Sequence, residues 1–252
     1  MRDYTGLGAL AWAQFSVDEP GPDQRFFQRI IEQHAGPALD VGCGTGRLLI
    51  PYLLAGLEVD GIDPSAEMLA LCRHKAAEHG LTPHLYQQAM QHLDLARSYH
   101  TIFIPCGTIQ LVVDRSQVFE ALRRFYAHLV PAGVLVLTIY NRWREMEDER
   151  VGHWKLYARH PLPDGSVLYK HVRVQDRNLL EQTLAQEVRY RRVQARRVIE
   201  EQRCDAPERW YFQHEIALML ERTGFRTILV TGNYTDEAAS DSHYVLSFAA
   251  IK

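Results

Sequence analysis

The sequence predicts an α/β protein in which helices cover both faces of a mostly parallel sheet, with an antiparallel sheet inserted late in the chain. Strand and helix patterns alternate over residues 24–140, and parallel neighbours need such crossover connections. These strand patterns are apolar on both sides, as in strands buried on both faces. Residues 152–210 instead form short alternating segments rich in Arg, Tyr and Val, which is typical of antiparallel strands with one face in water.

Helices are predicted where apolar residues recur three or four positions apart between capping and stop residues. The predicted helices are residues 24–35, ended by Gly36 and Pro37; residues 45–55; a helix from the N-cap Ser65 to the stop Gly80; a helix after Asp114, ended by Pro131 and Gly133; and residues 213–223, ended by Gly224. Short apolar runs predict the strands. These runs are residues 38–41, 57–62, 83–86, 99–104, 134–140, 225–230 and 244–251.

A glycine-rich turn follows the first predicted strand. Gly42, Gly44 and Gly46 form a G-x-G-x-G pattern between that strand and a helix, and glycine is needed where φ is positive or where a ligand lies against the main chain. Asp63 ends the neighbouring strand, 17 residues beyond Gly46. This position suits a carboxylate that accepts hydrogen bonds from ribose hydroxyls. The pattern therefore predicts a ligand with an adenosine-like ribose and a free 2′ oxygen.

The spacing of the glycines separates two classes of nucleotide-binding protein. The dinucleotide fingerprint G-x-G-x-x-G requires glycine at position 47, which is Arg47 here. A nicotinamide-dependent oxidoreductase is therefore disfavoured and is kept as an alternative.

Four segments resemble the class I S-adenosylmethionine-dependent methyltransferases. These segments are residues 39–46, 61–69, 102–111 and 129–135, the last with alanine in the first glycine position of the family's L-x-P-G-G pattern. The resemblance covers residues 24–140 and the chain from Tyr211 onward. It implies a Rossmann-like, seven-stranded sheet with an antiparallel last strand, S-adenosylmethionine as cofactor, and methyl transfer to nitrogen or oxygen of a small molecule. The inserted sheet resembles that of sugar N,N-dimethyltransferases and glycine N-methyltransferase relatives.

The resemblance also implies a set of cofactor-binding residues. They are Asp40, Gly42, Cys43, Gly44, Gly46, Asp63, Pro64, Met68, Gln88, Ala89, Met90, Pro105 and Cys106. Asp40 and the glycine turn would hold the methionine end, and Asp63 would bind both ribose hydroxyls. Pro64, Met68 and residues 88–90 would surround the adenine, and residues 105–106 would lie near the reactive methyl group.

Ala89 departs from the family pattern. Members often carry an acid here that accepts a hydrogen bond from the adenine amino group. Gln88 or a backbone carbonyl could replace this bond, which is worth about 0.5–1.5 kcal/mol net. The eroded position gives slight support to a second alternative, a catalytically silent module that binds S-adenosylmethionine.

The sequence defines the methyl acceptor less well than it defines the cofactor. An amine acceptor needs no strong base, whereas a hydroxyl acceptor needs one, and no catalytic residue is predicted. The candidate bases are His153, His171, His214, Tyr140, Tyr157 and Tyr211, and the candidate substrate contacts are Tyr4, Trp12, His171, Arg209 and Tyr211. Residues 1–141 and 211–252 are predicted to form the cofactor-binding core, and the inserted sheet, residues 142–210, to roof the acceptor pocket or to pair subunits in a homodimer.

Composition limits the remaining possibilities. The net charge near −3 makes no case for a nucleic-acid or membrane partner. No signal peptide or spanning segment is expected, and four scattered cysteines favour the cytoplasm. The histidines lack metal-ligand spacing, so no metal is expected. A basic run, which comprises Arg189, Arg191, Arg192, Arg196 and Arg197, is interpreted as a solvated sheet face balanced by Glu200 and Glu201, with binding of an anionic substrate as the alternative.

Overall fold

The computed structural model describes residues 4–14, 21–141 and 151–252. The chain forms two compact units. We call Val17–Arg142 with Trp210–Lys252 the core unit, and Met1–Ser16 with Trp143–Arg209 the sheet unit. The predicted start of the insertion, residue 142, lies outside the described residues.

The core unit contains a seven-stranded sheet in the order β11-β12-β5-β4-β1-β2-β3. Its strands are β1 Ala38–Val41, β2 Val59–Ile62, β3 Leu85–Tyr86, β4 Tyr99–Ile104, β5 Leu129–Tyr140, β11 Arg226–Gly232 and β12 Val245–Ile251. Only β12 runs antiparallel to its neighbours in this sheet. The predicted mixed sheet with an antiparallel last strand is confirmed.

Helices cover both faces of this sheet. They are α2 Pro22–Gln33, α3 Leu49–Leu54, α4 Ala66–Glu78, α5 Arg115–His128 and α6 Gln213–Thr223. Successive side chains of a strand point to opposite faces of the sheet. Leu39 lies on one face, in the cluster that contains residues of α5 and α6. Phe103 packs in the opposite cluster, with residues of α2, α3 and α4. Strand order reverses between β1 and β4, where open α/β sheets bind ligands.

Among its described residues, the sheet unit contains five antiparallel strands, as the insertion predicts, together with one short helix. They are α1 Leu7–Ala13, β6 Lys155–Pro161, β7 Val167–Asn178, β8 Thr183–Gln194, β9 Arg197–Asp205 and β10 Glu208–Arg209. The helix α1, which was not predicted, packs Leu7 and Ala11 against an apolar sheet face with Leu168 and Val188. Gln202 of β9 fixes the start of α1, because its Oε1 accepts a hydrogen bond from the Leu7 N–H at 2.7 Å.

Two predicted boundaries are wrong. The helix after the glycine turn begins at Leu49 rather than at residue 45, because residues 42–46 adopt positive φ at three glycines and cannot continue a helix. β5 begins at Leu129, which pairs with Tyr99; the register then shifts before Val134 pairs with Thr101. The predicted break at Pro131 and Gly133 falls within this irregularity.

Candidate active site

The glycine turn leaves bare main chain at the carboxyl end of β1. Gly44 has φ +54°, and a Cβ atom there would lie 3.3 Å from Cε of Met68 and 3.9 Å from the Gly42 carbonyl oxygen, with no third heavy atom within 4 Å. At Gly46 a Cβ would instead clash with Sγ of Cys72 at 2.7 Å. Gly46 therefore permits close packing against α4, whereas Gly44 borders more open space.

Asp63 lies at the end of β2 and is only 8% exposed. Its Oδ2 accepts a hydrogen bond from the Gly44 N–H at 3.1 Å, and its Oδ1 accepts one from the Ser65 N–H at 2.8 Å. Burial raises the pKa of Asp63, and the two backbone N–H groups oppose the shift. Each oxygen keeps a further lone pair, so the carboxylate can accept hydrogen bonds from a diol while it also fixes the glycine turn.

Asp40, in β1, is a buried acid without a partner. It is 1% exposed, and its Oδ1 has no hydrogen bond within the described part of the chain. Burial raises the pKa of Asp40 to about 8, against the opposing charge of Arg47. An unsatisfied buried carboxyl is costly, and a ligand ammonium group would relieve this cost. The residues at this end of the crevice therefore fit the cationic methionine end of S-adenosylmethionine.

Arg47 ties three segments together beside the glycine turn. Its Nη2 donates to Oδ2 of Asp23 at 2.5 Å, and its Nη1 donates to Oδ1 at 3.2 Å. Nη2 also lies 3.1 Å from Sγ of Cys106. Asp23 belongs to the first turn of α2, and Cys106 follows β4. This forked ion pair therefore connects α2, the glycine turn and the end of β4. This ion pair could not be predicted from the sequence, because Asp23 and Arg47 lie 24 positions apart. Neither residue is part of a motif with a known spacing.

Cys106 has a strained backbone. Its φ is +56°, and Gly107 follows with φ +65°; a side chain in this region is uncommon and is often found at functional sites. Burial raises the pKa of the Cys106 thiol, although Arg47 opposes the shift. At neutral pH the group is therefore a small neutral thiol rather than a nucleophilic thiolate.

The predicted adenine side is built from half-buried and buried residues. Met68 and Met90 are 3% and 6% exposed. The Gln88 amide binds the Asp94 backbone, donating to its carbonyl at 3.1 Å and accepting from its N–H at 2.9 Å. Ala89 is the N-cap of the short 3₁₀ helix Met90–His92. Because the amide of Gln88 is already engaged, backbone carbonyls are the better replacement for the acid that the family carries at this position.

The candidate substrate residues lie in both units, Tyr211 in the core unit and the other four in the sheet unit. Arg209 is 6% exposed and donates from Nη1 to the Glu181 carbonyl at 2.6 Å. Tyr211 is 3% exposed within the core cluster. The rings of Tyr4 and Trp12 are 5.8 Å apart. These contacts give Arg209 and Tyr211 structural roles, and substrate contact stays a prediction for all five candidates.

The described ranges contain neither a cluster of metal ligands nor a helix that could span a membrane. Residues 4–14, 21–141 and 151–252 bring no three His, Cys, Asp or Glu side chains together in a way that could hold a metal ion. Among the helices in those ranges, none has the length and apolarity that crossing a membrane requires.

The sheet order, the bare glycine turn and the two buried acids agree with the class I S-adenosylmethionine-dependent methyltransferase fold. Residues 38–133 match the family described as "Methyltransferase domain", which confirms the resemblance seen in the sequence. S-adenosylmethionine is the methyl donor of this class.

Two of the curated proteins that this chain resembles are bacterial methyltransferases. The chain is 30% identical over 111 residues to the dTDP-3-amino-3,6-dideoxy-alpha-D-glucopyranose N,N-dimethyltransferase of Streptomyces fradiae, covering 43% of this chain and 42% of the relative. It is 32% identical over 120 residues to the ubiquinone biosynthesis O-methyltransferase of Rhodopseudomonas palustris, covering 48% and 42%. The chain spans about half the length of the curated relatives it matches, or less.

Solved structures match over nearly the whole chain. An S-adenosylmethionine-dependent methyltransferase from Clostridium acetobutylicum superposes with a TM-score of 0.78 at 16% identity, covering 96% of both chains. The sugar N-methyltransferase KedS8 from Streptoalloteichus superposes with a TM-score of 0.73 at 18% identity, covering 97% of this chain and 92% of that one. At these identities the likeness establishes the fold, including the inserted antiparallel sheet.

Proposed function

We propose that this protein transfers the methyl group of S-adenosylmethionine to a nitrogen or oxygen atom of a small-molecule acceptor. The observation that carries the proposal is the buried carboxyl of Asp40, whose Oδ1 has no hydrogen bond among the described residues, together with the open main chain at Gly44. Asp63 adds a second carboxylate at the end of the adjacent strand. This set of groups would recognise a cationic group and a ribose with two free hydroxyls.

The residues contribute mainly by positioning. Bound S-adenosylmethionine supplies a methyl group that its sulfonium already activates. Asp63 would orient the ribose, and Asp40 would hold the ammonium group at the opposite end of the glycine turn. The neutral thiol of Cys106 would add no charge of its own at the end of β4. Alignment of this kind can supply much of the acceleration of a displacement reaction.

Calorimetric titration with S-adenosylmethionine, S-adenosylhomocysteine and NADH tests the cofactor assignment. Binding of the two adenosyl compounds without NADH binding is expected. NADH binding alone would support the oxidoreductase alternative, which the engagement of Arg47 by Asp23 disfavours at the position where the fingerprint needs glycine.

A panel of amine and hydroxyl acceptors with radiolabelled methyl donor tests the transfer itself. The named relatives act on an aminosugar nucleotide and in ubiquinone biosynthesis, so the panel includes amino sugars and phenols. Labelled product from one class is expected. Adenosyl binding with no transfer to any acceptor would instead favour the silent binding module.

The finer parts of the proposal concern the whole protein. We expect it to act in the cytoplasm, on small molecules rather than nucleic acid or membrane, and to pair as a homodimer through the antiparallel sheet. Light scattering after size exclusion measures the oligomeric state, and a monomer would contradict the pairing. Deleting residues 142–210 is expected to spare cofactor binding and to alter acceptor selectivity, provided that circular dichroism shows a folded core.

A further inference from the structure

One face of the antiparallel sheet carries a row of basic side chains that lie directly opposite each other, two of them arginines. His171 of β7 pairs in register with Arg189 of β8, and Arg189 pairs with Arg203 of β9. Like charges directly opposite across strands destabilise a sheet. The row is therefore a local cost that the sequence could have avoided.

The two neighbouring rows on the same face each contain an acid that pairs with an arginine. In one, Arg173 faces Glu187 and forms an ion pair with it, and Asp205 lies opposite Glu187 on the other side. In the other, Arg191 faces Glu201 and donates from Nε at 2.6 Å, while Arg159 extends this row opposite Tyr169. The middle row has no acid among its paired residues.

Arg189 is the uncompensated member of that row. Arg203 reaches Glu201, two residues away on the same strand, with Nε 2.9 Å from Oε1. In the ranges that the structure covers, Arg189 has neither a carboxylate within ion-pair distance nor a hydrogen bond, and its Nε is buried without a partner. Burial lowers the pKa of Arg189, and the charges of Arg191 and Arg203 lower it further.

Trp154 holds the guanidinium of Arg189 in place. The Arg189 Cζ lies 4.2 Å from the centre of the Trp154 ring, and the Arg173 Cζ lies 4.7 Å from it. Stacking on an aromatic face leaves the edge of a guanidinium, with its N–H donors, available for a planar oxyanion. His171 adds a second polar group, whose Nδ1 is buried with no partner among the described residues. Burial, Arg189 and Arg191 lower the pKa of His171, so it offers a neutral imidazole rather than a third charge.

We propose that Arg189, with His171 beside it and Trp154 beneath it, binds the phosphate or carboxylate group of a small molecule on the antiparallel sheet. A bound oxyanion would neutralise the middle row, and guanidinium groups bind such anions through two parallel hydrogen bonds. The flanking glutamates restrict the site to a single anionic group. The proposal rests on residues of the sheet unit alone, and its test requires neither cofactor binding nor methyl transfer.

The test is a fluorescence titration of the full-length protein, since Trp154 contacts the proposed site. Inorganic phosphate, pyrophosphate and succinate are added at constant ionic strength, balanced with sodium chloride. Saturable quenching is expected with at least one anion, and W154F is expected to abolish the signal. A response to phosphate or pyrophosphate alone identifies a phosphorylated ligand, and a response to succinate alone identifies a carboxylate.

Variants locate the binding. R189Q is expected to weaken binding at least tenfold, and R197Q, which removes an exposed arginine from β9, is the matched control and is expected to change it less than twofold. R189K keeps the charge without the planar fork and is expected to bind between wild type and R189Q, which preserves the test if R189Q fails to fold. Equal affinity in wild type and R189Q overturns the proposal. So does a signal that rises in proportion to the anion concentration without saturating, because such a signal reports no defined site. None of these outcomes depends on cofactor binding or methyl transfer.

Discussion

The ion pair between Asp23 and Arg47 is expected to hold the glycine turn in its ligand-binding shape. The pair is forked, and the exposed fractions of the two side chains are 28% for Arg47 and 10% for Asp23. Burial lowers the pKa of Arg47, but the hydrogen bond and charge of Asp23, together with Cys106, raise it overall. Arg47 follows Gly46 directly in the chain. If the Arg47 side chain lost its partner, the backbone of the glycine turn would therefore be less restrained.

The expected loss of stability follows from the burial of the pair. Removing one partner of a fully buried ion pair costs about 3–5 kcal/mol. Because Arg47 is partly exposed, D23N and R47M are expected to cost slightly less, about 2–3 kcal/mol each. The double variant is expected to cost less than the sum of the single changes, because neither charge is then left alone. Dissociation constants for S-adenosylhomocysteine are expected to rise about tenfold in each single variant, which corresponds to about 1.4 kcal/mol.

Urea unfolding gives the stabilities, and calorimetry gives the affinities. Arg29 and Asp236 supply a matched control, since they form the same forked pair at 2.7 and 3.0 Å with 45% and 81% exposed side chains. Breaking that pair is expected to cost less than about 1 kcal/mol and to leave cofactor affinity unchanged. Additive single and double effects at Asp23 and Arg47 would refute the coupling. Lost stability with unchanged affinity would refute the link to the glycine turn.

Three further changes test the crevice. The raised pKa of Asp40 means that between its ordinary value of 3.8 and about 8 the folded state keeps a proton that the unfolded state has released, so stability should fall as pH rises through this window; urea unfolding of wild type and D40N at several pH values measures this, and parallel curves would contradict it. D63A is expected to weaken S-adenosylhomocysteine binding at least tenfold, if its hydrogen bonds to the ribose are worth about 1.5–3 kcal/mol; because Asp63 also accepts from Gly44, D63N and parallel thermal unfolding separate ribose contact from loss of the turn, and unchanged affinity in both variants would remove Asp63 from the site. A89D is expected to stabilise the protein by about 0.5–1 kcal/mol, since Ala89 is an N-cap where Asp is preferred, and to maintain or improve cofactor affinity; a large loss of affinity would show that position 89 does not correspond to the family's acid.

The sequence predicted the core well because local and global signals agree there. The spacing from Gly42 to Asp63 places both features at the ends of adjacent parallel strands, and β1 and β2 pair over Asp40 and Gly61 as that requires. The helix begins at Leu49 rather than at the predicted residue 45, because the left-handed conformation at Gly44 and Gly46 prevents an earlier start. Residue type alone could not reveal that geometry.

Interactions between distant segments were beyond prediction. Nothing in the residues near Asp23 marks it as the partner of Arg47, and the pair exists only because α2 lies beside the glycine turn. The basic run was interpreted as balanced by acids, and Arg191 is indeed paired with Glu201. Arg189 escapes that balance because strand register, which the sequence leaves open, sets it opposite His171 and Arg203.

The docking of α1 has a consequence for biosynthesis. Its first residues reach Gln202, 195 positions later in the chain, so the helix has no binding surface until the strand containing Gln202 leaves the ribosome. At about 5–20 residues per second, this leaves Leu7 and Ala11 uncovered for about 10–40 s. Until that strand is available, the nascent protein presents a short apolar segment to chaperones, and a late step of folding joins α1 to β9.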